Sequence, residues 1–257
     1  MEAVAATAAP TKARDPRALA GDLEAFNSLY RPHLEAVYDF AVRIVGERDL
    51  ATDMVRQTFR LAWRSFPEQG NDVAGRLFTT ARVCTLDALR YRRDRNGKER
   101  EALHFTRIDG HRVPDPAVFD QSLAELVWDA ASTLPREAYS LLALHVRHDL
   151  SPDAIGLDRA TAVRLARTRE FFDKDVTIRL LATRARHTCN ELDILVARDG
   201  KRELAQHIRR CKRCRETASR FVSPAAVLGS LATIAPSRSL AREIFNRPRR
   251  RGVFGIL

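Results

Sequence analysis

Four residues toward the C-terminal end carry the most specific chemistry in this sequence: Cys189, His207, Cys211 and Cys214. The last three stand in HIRRCKRC and the first in HTCNEL. Three thiolates and one imidazole make a closed tetrahedral donor set for zinc. With all four positions filled by the protein, no place is left for a reactive water, so the expected ion is a single structural zinc. His207 and Cys211 are four apart and would share one face of a helix. Cys211 and Cys214 are three apart, a step that lets a helical turn or a knuckle present both sulfurs. His187 is the rival fourth ligand to Cys189. The plainer explanation of a cysteine is buried apolar packing, and it suits Cys84, the fourth of the chain's cysteines, on the apolar face of an expected helix. A thioredoxin-like role for Cys211-x-x-Cys214 lacks the surrounding βαβ pattern.

The rest of the chain must position that quartet. At 257 residues it is long enough for two small domains or three very small ones. It is 45% hydrophobic and 30% charged, which suits folded cores. Its net charge of +11 makes nucleic acid the expected partner. Four cysteines at this length are no disulfide framework. The start MEAVAATAAPTKARDP lacks the apolar core of a secretory signal. No run approaches the ~20 apolar residues of a membrane span, so the chain is read as soluble and cytoplasmic. There is no nucleophile–base set, phosphate loop or open metal site, which argues against an enzyme.

Apolar residues recur at three- and four-residue steps through most of the chain, and no strand pattern competes, so the expected class is all-α. Residues 1–20 read as a flexible tail. The first helical face carries Leu34, Val37, Tyr38, Ala41, Ile44 and Val45, with Pro32 just inside its start. After GERD a second helix is expected, capped by Asp49 and carrying Leu50, Met54, Val55, Phe59 and Ala62. A third, with Val73, Leu77, Ala81, Cys84, Ala88 and Leu89 inward, ends in the basic run LRYRRDRNGKER. Residues 101–119 read as a linker. Helices resume at Asp120. Ser151-Pro152-Asp153 reads as the start of a short helix to Leu157, followed by a helix from about Ala160. Two helices over a tight turn, with Arg164, Arg167 and Arg169 on the second, suit a helix-turn-helix reader of DNA.

Three stretches, FNSLYRPHLEAVYDFAVRIVGERDLATDMVRQTFRLAWRSF, GRLFTTARVCTLDALRYRRDR and LPREAYSLLALHVRHDLSPDAIG…TAVRLARTR, resemble the extracytoplasmic-function sigma factors of bacterial RNA polymerase. The resemblance covers roughly residues 22–175. It implies a helical region 2 at 21–100 and a helix-turn-helix region 4 at 120–182, with RNA polymerase core and promoter DNA as partners. In DLATDMVRQTF, where the family has an acidic and apolar helix, it implies polymerase contacts from Leu50, Asp53, Val55, Arg56, Gln57 and Phe59. Thr52 and Gln57 stand where the family usually has Glu, and Arg56 where it has Gln. Along the third helix and its basic run it implies DNA contacts from Arg76, Arg82, Arg90, Tyr91, Arg92 and Arg93. Arg76 replaces a usual Trp and Val83 a usual Asn. In region 4, about five residues shorter than usual after LSPDAI, it implies DNA contacts from Thr161, Arg164, Arg167 and Arg169.

The segment CNELDILVARDGKRELAQHIRRCKRCRETASRF is similar to the zinc-binding anti-sigma domain on Cys189, Glu191, Asp199, Gly200, His207, Ile208, Cys211, Cys214 and Arg215. That resemblance implies a zinc-binding domain at 183–224, a C-terminal helix and basic tail at 225–257, and docking of the zinc domain on the sigma-like domains of its own chain. Two functions follow. One is a sigma factor that starts transcription under control in cis. The other is a degenerate sigma-like DNA- or protein-binding regulator that does not itself initiate, to which Thr52, Arg56, Arg76, Val83 and the short region 4 point.

Overall fold

The computed structural model describes residues 16–66, 72–96, 107–108, 111–112, 121–198 and 201–246. Helix α1 (Pro16–Tyr30) leads through a 3-10 turn (Arg31–His33) into α2 (Leu34–Val45). Pro32 sits in that turn, where a missing N–H is harmless. Helix α1 starts at Pro16, inside the stretch 1–20 that reads as a flexible tail. Nearly every residue of α2 is buried, because neighbours cover it on all sides. It ends at Gly46, whose φ of 76° is left-handed and whose N–H bonds the Val42 carbonyl at 2.8 Å.

Helix α3 (Arg48–Ser65) starts one residue before the expected cap. Glu47 is the extended residue at its N-cap, so Asp49 lies in the first turn, where its charge suits the helix dipole. Helix α4 (Val73–Asn96) is capped by Asp72, whose Oδ1 accepts from the Gly75 N–H at 3.0 Å. Helices α2, α3 and α4 pack against one another around Val37, Val42, Ala51, Val55, Phe59, Leu77 and Ala81.

In the 101–119 stretch the described residues form a minimal antiparallel ladder, β1 (Arg107–Ile108) with β2 (His111–Arg112). It is too short to alter the all-helical class. Helices α5 (Gln121–Ser132), α6 (Arg136–Val146) and α7 (Arg159–Arg184) follow. The short helix expected from Pro152 to Leu157 is instead a hydrogen-bonded turn. Gly156 at φ 68° breaks the right-handed path after one turn. Ser151 still caps it, its Oγ accepting from the Ala154 N–H at 3.1 Å. Asp158 caps α7 by accepting from the Thr161 N–H at 2.7 Å.

The 26 residues of α7 run through two cores. Leu165, Phe172, Val176 and Leu180 belong to the large one, whose members range from Phe26 to Phe245. Leu181 joins a small one with Leu192, Leu204, Ile208 and Cys214. Helices α8 (Asn190–Ala197), α9 (Lys201–Arg210) and α10 (Lys212–Ala218) build this second core. The chain then returns to the first: α11 (Pro224–Ser230) packs on α5, α6 and α7, and α12 (Arg238–Asn246) on α3.

The α1–α4 and α5–α7 units meet directly. Phe40 and Phe78 hold the His148 ring at centroid distances of 5.9 and 4.3 Å. Arg136 Nη1 donates to the Ile44 carbonyl at 2.5 Å. A Cβ on Gly75 would run into the Ala154 carbonyl oxygen, so a glycine is needed where α4 meets the 151–157 turn. No helix among the described residues is long and apolar enough to cross a membrane.

Candidate functional site

The fold gathers Cys189, His207, Cys211 and Cys214, with their donor atoms all within 4.8 Å of one another. Cys189 Sγ lies 3.2 Å from His207 Nε2 and 3.6 Å from Cys214 Sγ, and His207 Nε2 lies 3.3 Å from Cys214 Sγ. A tetrahedron with zinc–sulfur bonds of about 2.3 Å and a zinc–nitrogen bond of about 2.0 Å has edges of about 3.5–3.8 Å. The cluster is therefore near the size zinc requires, and its donors are of the type zinc prefers. His187 is outside the cluster, in the 3-10 turn Arg186–Thr188 before α8.

Three helix ends deliver these donors. Cys189 is the N-cap of α8, and its Sγ accepts from the Leu192 N–H at 3.3 Å. His207 lies in the last turn of α9. The helix then breaks rather than carrying Cys211 on its face, as the four-residue step had suggested. Cys211 becomes the N-cap of α10, while its N–H keeps a helical bond to the His207 carbonyl at 2.8 Å. Cys214 follows in the first turn of α10, fully buried. The break lets a histidine at one helix end face a cysteine in the first turn of the next.

The orientation of His207 is set from outside the cluster. Its Nδ1 lies 3.1 Å from Glu191 Oε2, so Nδ1–H donates to the carboxylate and Nε2 presents a lone pair to the sulfurs. Glu191 is thus a positioning residue. Burial pushes the Cys214 thiol up to about 12, with Cys189 and Cys211 beside it. The Cys214 backbone N–H bonded to Cys211 holds that thiol below its ordinary value. Three sulfurs this close repel as thiolates unless a cation sits among them, and a divalent metal supplies that charge.

The remaining expected site residues lie on two surfaces. On α3, Val55 and Phe59 are buried and hold the helix in place, while Asp53 and Gln57 are exposed and Leu50 is half-buried. Arg56 bonds Asp53 at 2.8 Å and Glu243 of α12 at 2.9 Å. Beside this pair Phe245 of α12 enters a pocket of aromatic rings. It meets Phe59 edge-on at 5.6 Å and Phe26 at 6.4 Å, and Arg31 lies 4.8 Å over its ring. Asn27 Nδ2 donates to the Phe245 carbonyl at 3.1 Å. Sequence reading missed this docking. The spacing of Leu240, Ile244 and Phe245 marks a narrow apolar face on α12, but no local signal says what it faces.

On α4 the basic residues are partly engaged within the chain. Arg82 Nε donates to Ser140 Oγ of α6 at 2.8 Å. Arg90 pairs with Asp87 at 3.0 Å and with Glu137 of α6 at 2.6 Å. Arg92 pairs with Glu47 at 2.8 Å. Arg76 and Tyr91 are exposed, and the Arg93 side chain lies outside the described residues. On α7, Arg164 Nη2 donates to Thr161 Oγ1 at 3.1 Å, and Arg167 is exposed. Arg169 Nη1 lies 3.4 Å from His145 Nε2. Arg164 is near enough to Arg82 and Glu137 to act on both electrostatically, so the start of α7 approaches Arg82 and Arg90 of α4 around Glu137.

Set against known proteins, the chain is 29% identical over 139 residues to the ECF RNA polymerase sigma factor BldN of Streptomyces coelicolor. That match covers 52% of each chain, so this chain spans about half the length of the curated relative it matches. No family model matches the chain. No solved structure matches it either. The distant likeness agrees with the sigma-factor resemblance over about half of the sequence.

Proposed function

We propose that this protein is a non-enzymatic, sigma-factor-like transcription initiation protein, acting in the cytoplasm with RNA polymerase core and promoter DNA, and restrained by its own C-terminal region. The α1–α4 unit would contact polymerase through α3 and DNA through the basic edge of α4. The α5–α7 unit would contact DNA through the start of α7, around Thr161, Arg164 and Arg167. Residues 189–214 would hold one structural zinc through Cys189, His207, Cys211 and Cys214. The ion's chemistry there is to neutralise three thiolates and tie α8, α9 and α10 together.

The observation that carries this reading is the seat of α12. Glu243 pairs with Arg56 and Phe245 packs on Phe59 of α3, the helix that the sigma-factor resemblance assigns to polymerase, with Phe26 of α1 completing the pocket. A tethered segment competes at an effective concentration of about millimolar, so a moderate intrinsic affinity is enough to exclude a partner. Core-polymerase pull-down and promoter-directed transcription, run with the full chain and with a chain ending at Ser223, test it. Stronger core binding and more transcript from the shortened chain are expected. Equal binding and output from the two chains would refute control in cis.

A second reading is a sigma-like regulator that no longer initiates. Arg56, at a position where the family usually has Gln, is already satisfied by Asp53 and Glu243. Absence of both core binding and promoter-dependent product, from the full and the shortened chain alike, selects this reading.

A further inference from the structure

One buried polar cluster shares no residue with the Cys/His quartet or with either expected nucleic-acid surface. Asp39 of α2 is completely buried, and its side chain binds three segments of the chain. Its Oδ1 accepts from Arg43 Nε at 2.7 Å and from the Ile234 N–H at 2.9 Å. Its Oδ2 accepts from Arg147 Nη2, at the end of α6, at 2.8 Å. Each arginine also donates to the segment that runs from α11 to α12. Arg43 Nη2 reaches the Ala232 carbonyl and Arg147 Nη1 the Leu228 carbonyl, both at 2.7 Å. The Trp128 ring of α5 lies 4.1 Å from the Arg43 guanidinium and 5.5 Å from that of Arg147. The side chains of Arg43 and Arg147 are 3% and 4% exposed, so water does not share these bonds.

The segment 224–246 bridges the two helical units. Helix α11 lies on α5, α6 and α7, and α12 lies on α3. Its approach to α6 is close: a Cβ at Gly229 would stand 2.9 Å from the Val146 carbonyl oxygen. We infer that this strap and the closure of the α1–α4 unit onto the α5–α7 unit form one cooperative switch, keyed by Asp39, Arg43 and Arg147.

The coupling follows from what each half leaves behind. If the units part while the strap stays, Arg147 leaves Asp39, and charges that were paired without water lose their partners. If the strap leaves while the units stay closed, the two guanidinium groups lose their carbonyl acceptors and Asp39 loses the Ile234 N–H. Water then enters, and the Asp39–Arg147 link becomes an exposed ion pair of little worth. Each event weakens the other, which is a positive coupling between them. Release of the strap therefore uncovers Arg56 of α3 and the aromatic pocket between α1 and α3, and in the same step frees Arg82 and Arg90 from Ser140 and Glu137. The regulatory meaning rests on the reading above, but the test does not involve polymerase.

Native-state hydrogen exchange of the full, zinc-loaded chain over a series of low urea concentrations measures the coupling directly. Amides of α11, Ile234 and α12 are expected to share one opening curve with those at the end of α6 and in the 151–157 turn. That curve should lie below global unfolding, with α2, α3 and α4 still protected. In Asp39→Asn both sets should exchange faster together, by at least about a hundredfold. Separate curves for strap and interface overturn the inference, as does convergence of all amides only at global unfolding. If Asp39→Asn also loses protection in α3 and α4, the wild-type curves still decide.

Discussion

His148 gives the closed arrangement a defined sensitivity to acid. Its ring lies between Phe40 and Phe78, and its Nε2 is sealed from water without a partner, although other parts of the residue reach solvent. Burial depresses its pKa from 6.5 to about 4, opposed by the Asp39 carboxylate and reinforced by Arg147 and Arg43. The folded state thus binds this proton more weakly than the unfolded chain. The contribution of neutral His148 is complete above pH 6.5, declines as pH falls, and is fully lost below about 4. Linkage between those two values gives a loss of about 2 kcal/mol from pH 7.5 to pH 5. Urea unfolding of the wild type and His148→Phe, compared at each pH, isolates this amount. Phenylalanine keeps a ring between Phe40 and Phe78 and removes the titration, while effects of the metal site and of His33 cancel in the difference. The stability difference should shift by about 2 kcal/mol in favour of the variant on going to pH 5. A difference that does not change with pH refutes the reasoning.

Three further outcomes follow from the same geometry. Elemental analysis should find one zinc per chain, lost in Cys214→Ser and retained in Cys84→Ser, since Cys84 is buried on α4 outside the cluster. Phe245→Ala should destabilise the chain by about 3 kcal/mol in urea titrations. Arg56→Ala should cost less than about 1 kcal/mol, because its pair with Glu243 is about one-third exposed on both sides; the opposite order would show that the ion pair, not the ring, anchors α12. Gly75→Val should lower stability by about 1–3 kcal/mol, because α4 must move off the Ala154 carbonyl.

Much of the local structure was legible from the order of residues. The face Leu34, Val37, Tyr38, Ala41, Ile44 and Val45 is buried as its spacing requires, because a helix of 3.6 residues per turn brings such positions to one side. The metal quartet was legible too, since donor type and short spacing are written directly in the chain. Short-range competition was less legible. Gly156 stops a helix that Ser151 and Pro152 begin, and Cys211 ends one helix by capping the next. The docking of α12 was not legible at all, because an apolar stripe carries no address.

The sequence by itself determined the helical class, the basic character and the Cys/His donor set, because these depend on composition and on spacings of a few residues. Only the tertiary structure decided that Glu191 orients His207 and that α12 covers α3. It also decided that Asp39 answers to Arg43, Arg147 and the Ile234 amide at once. Asp39 and Ile234 lie 195 residues apart, and a bond across that interval has no trace in local pattern. It exists because packing of the surrounding helices removes water from both ends, leaving a buried charge that must find its partners inside the protein.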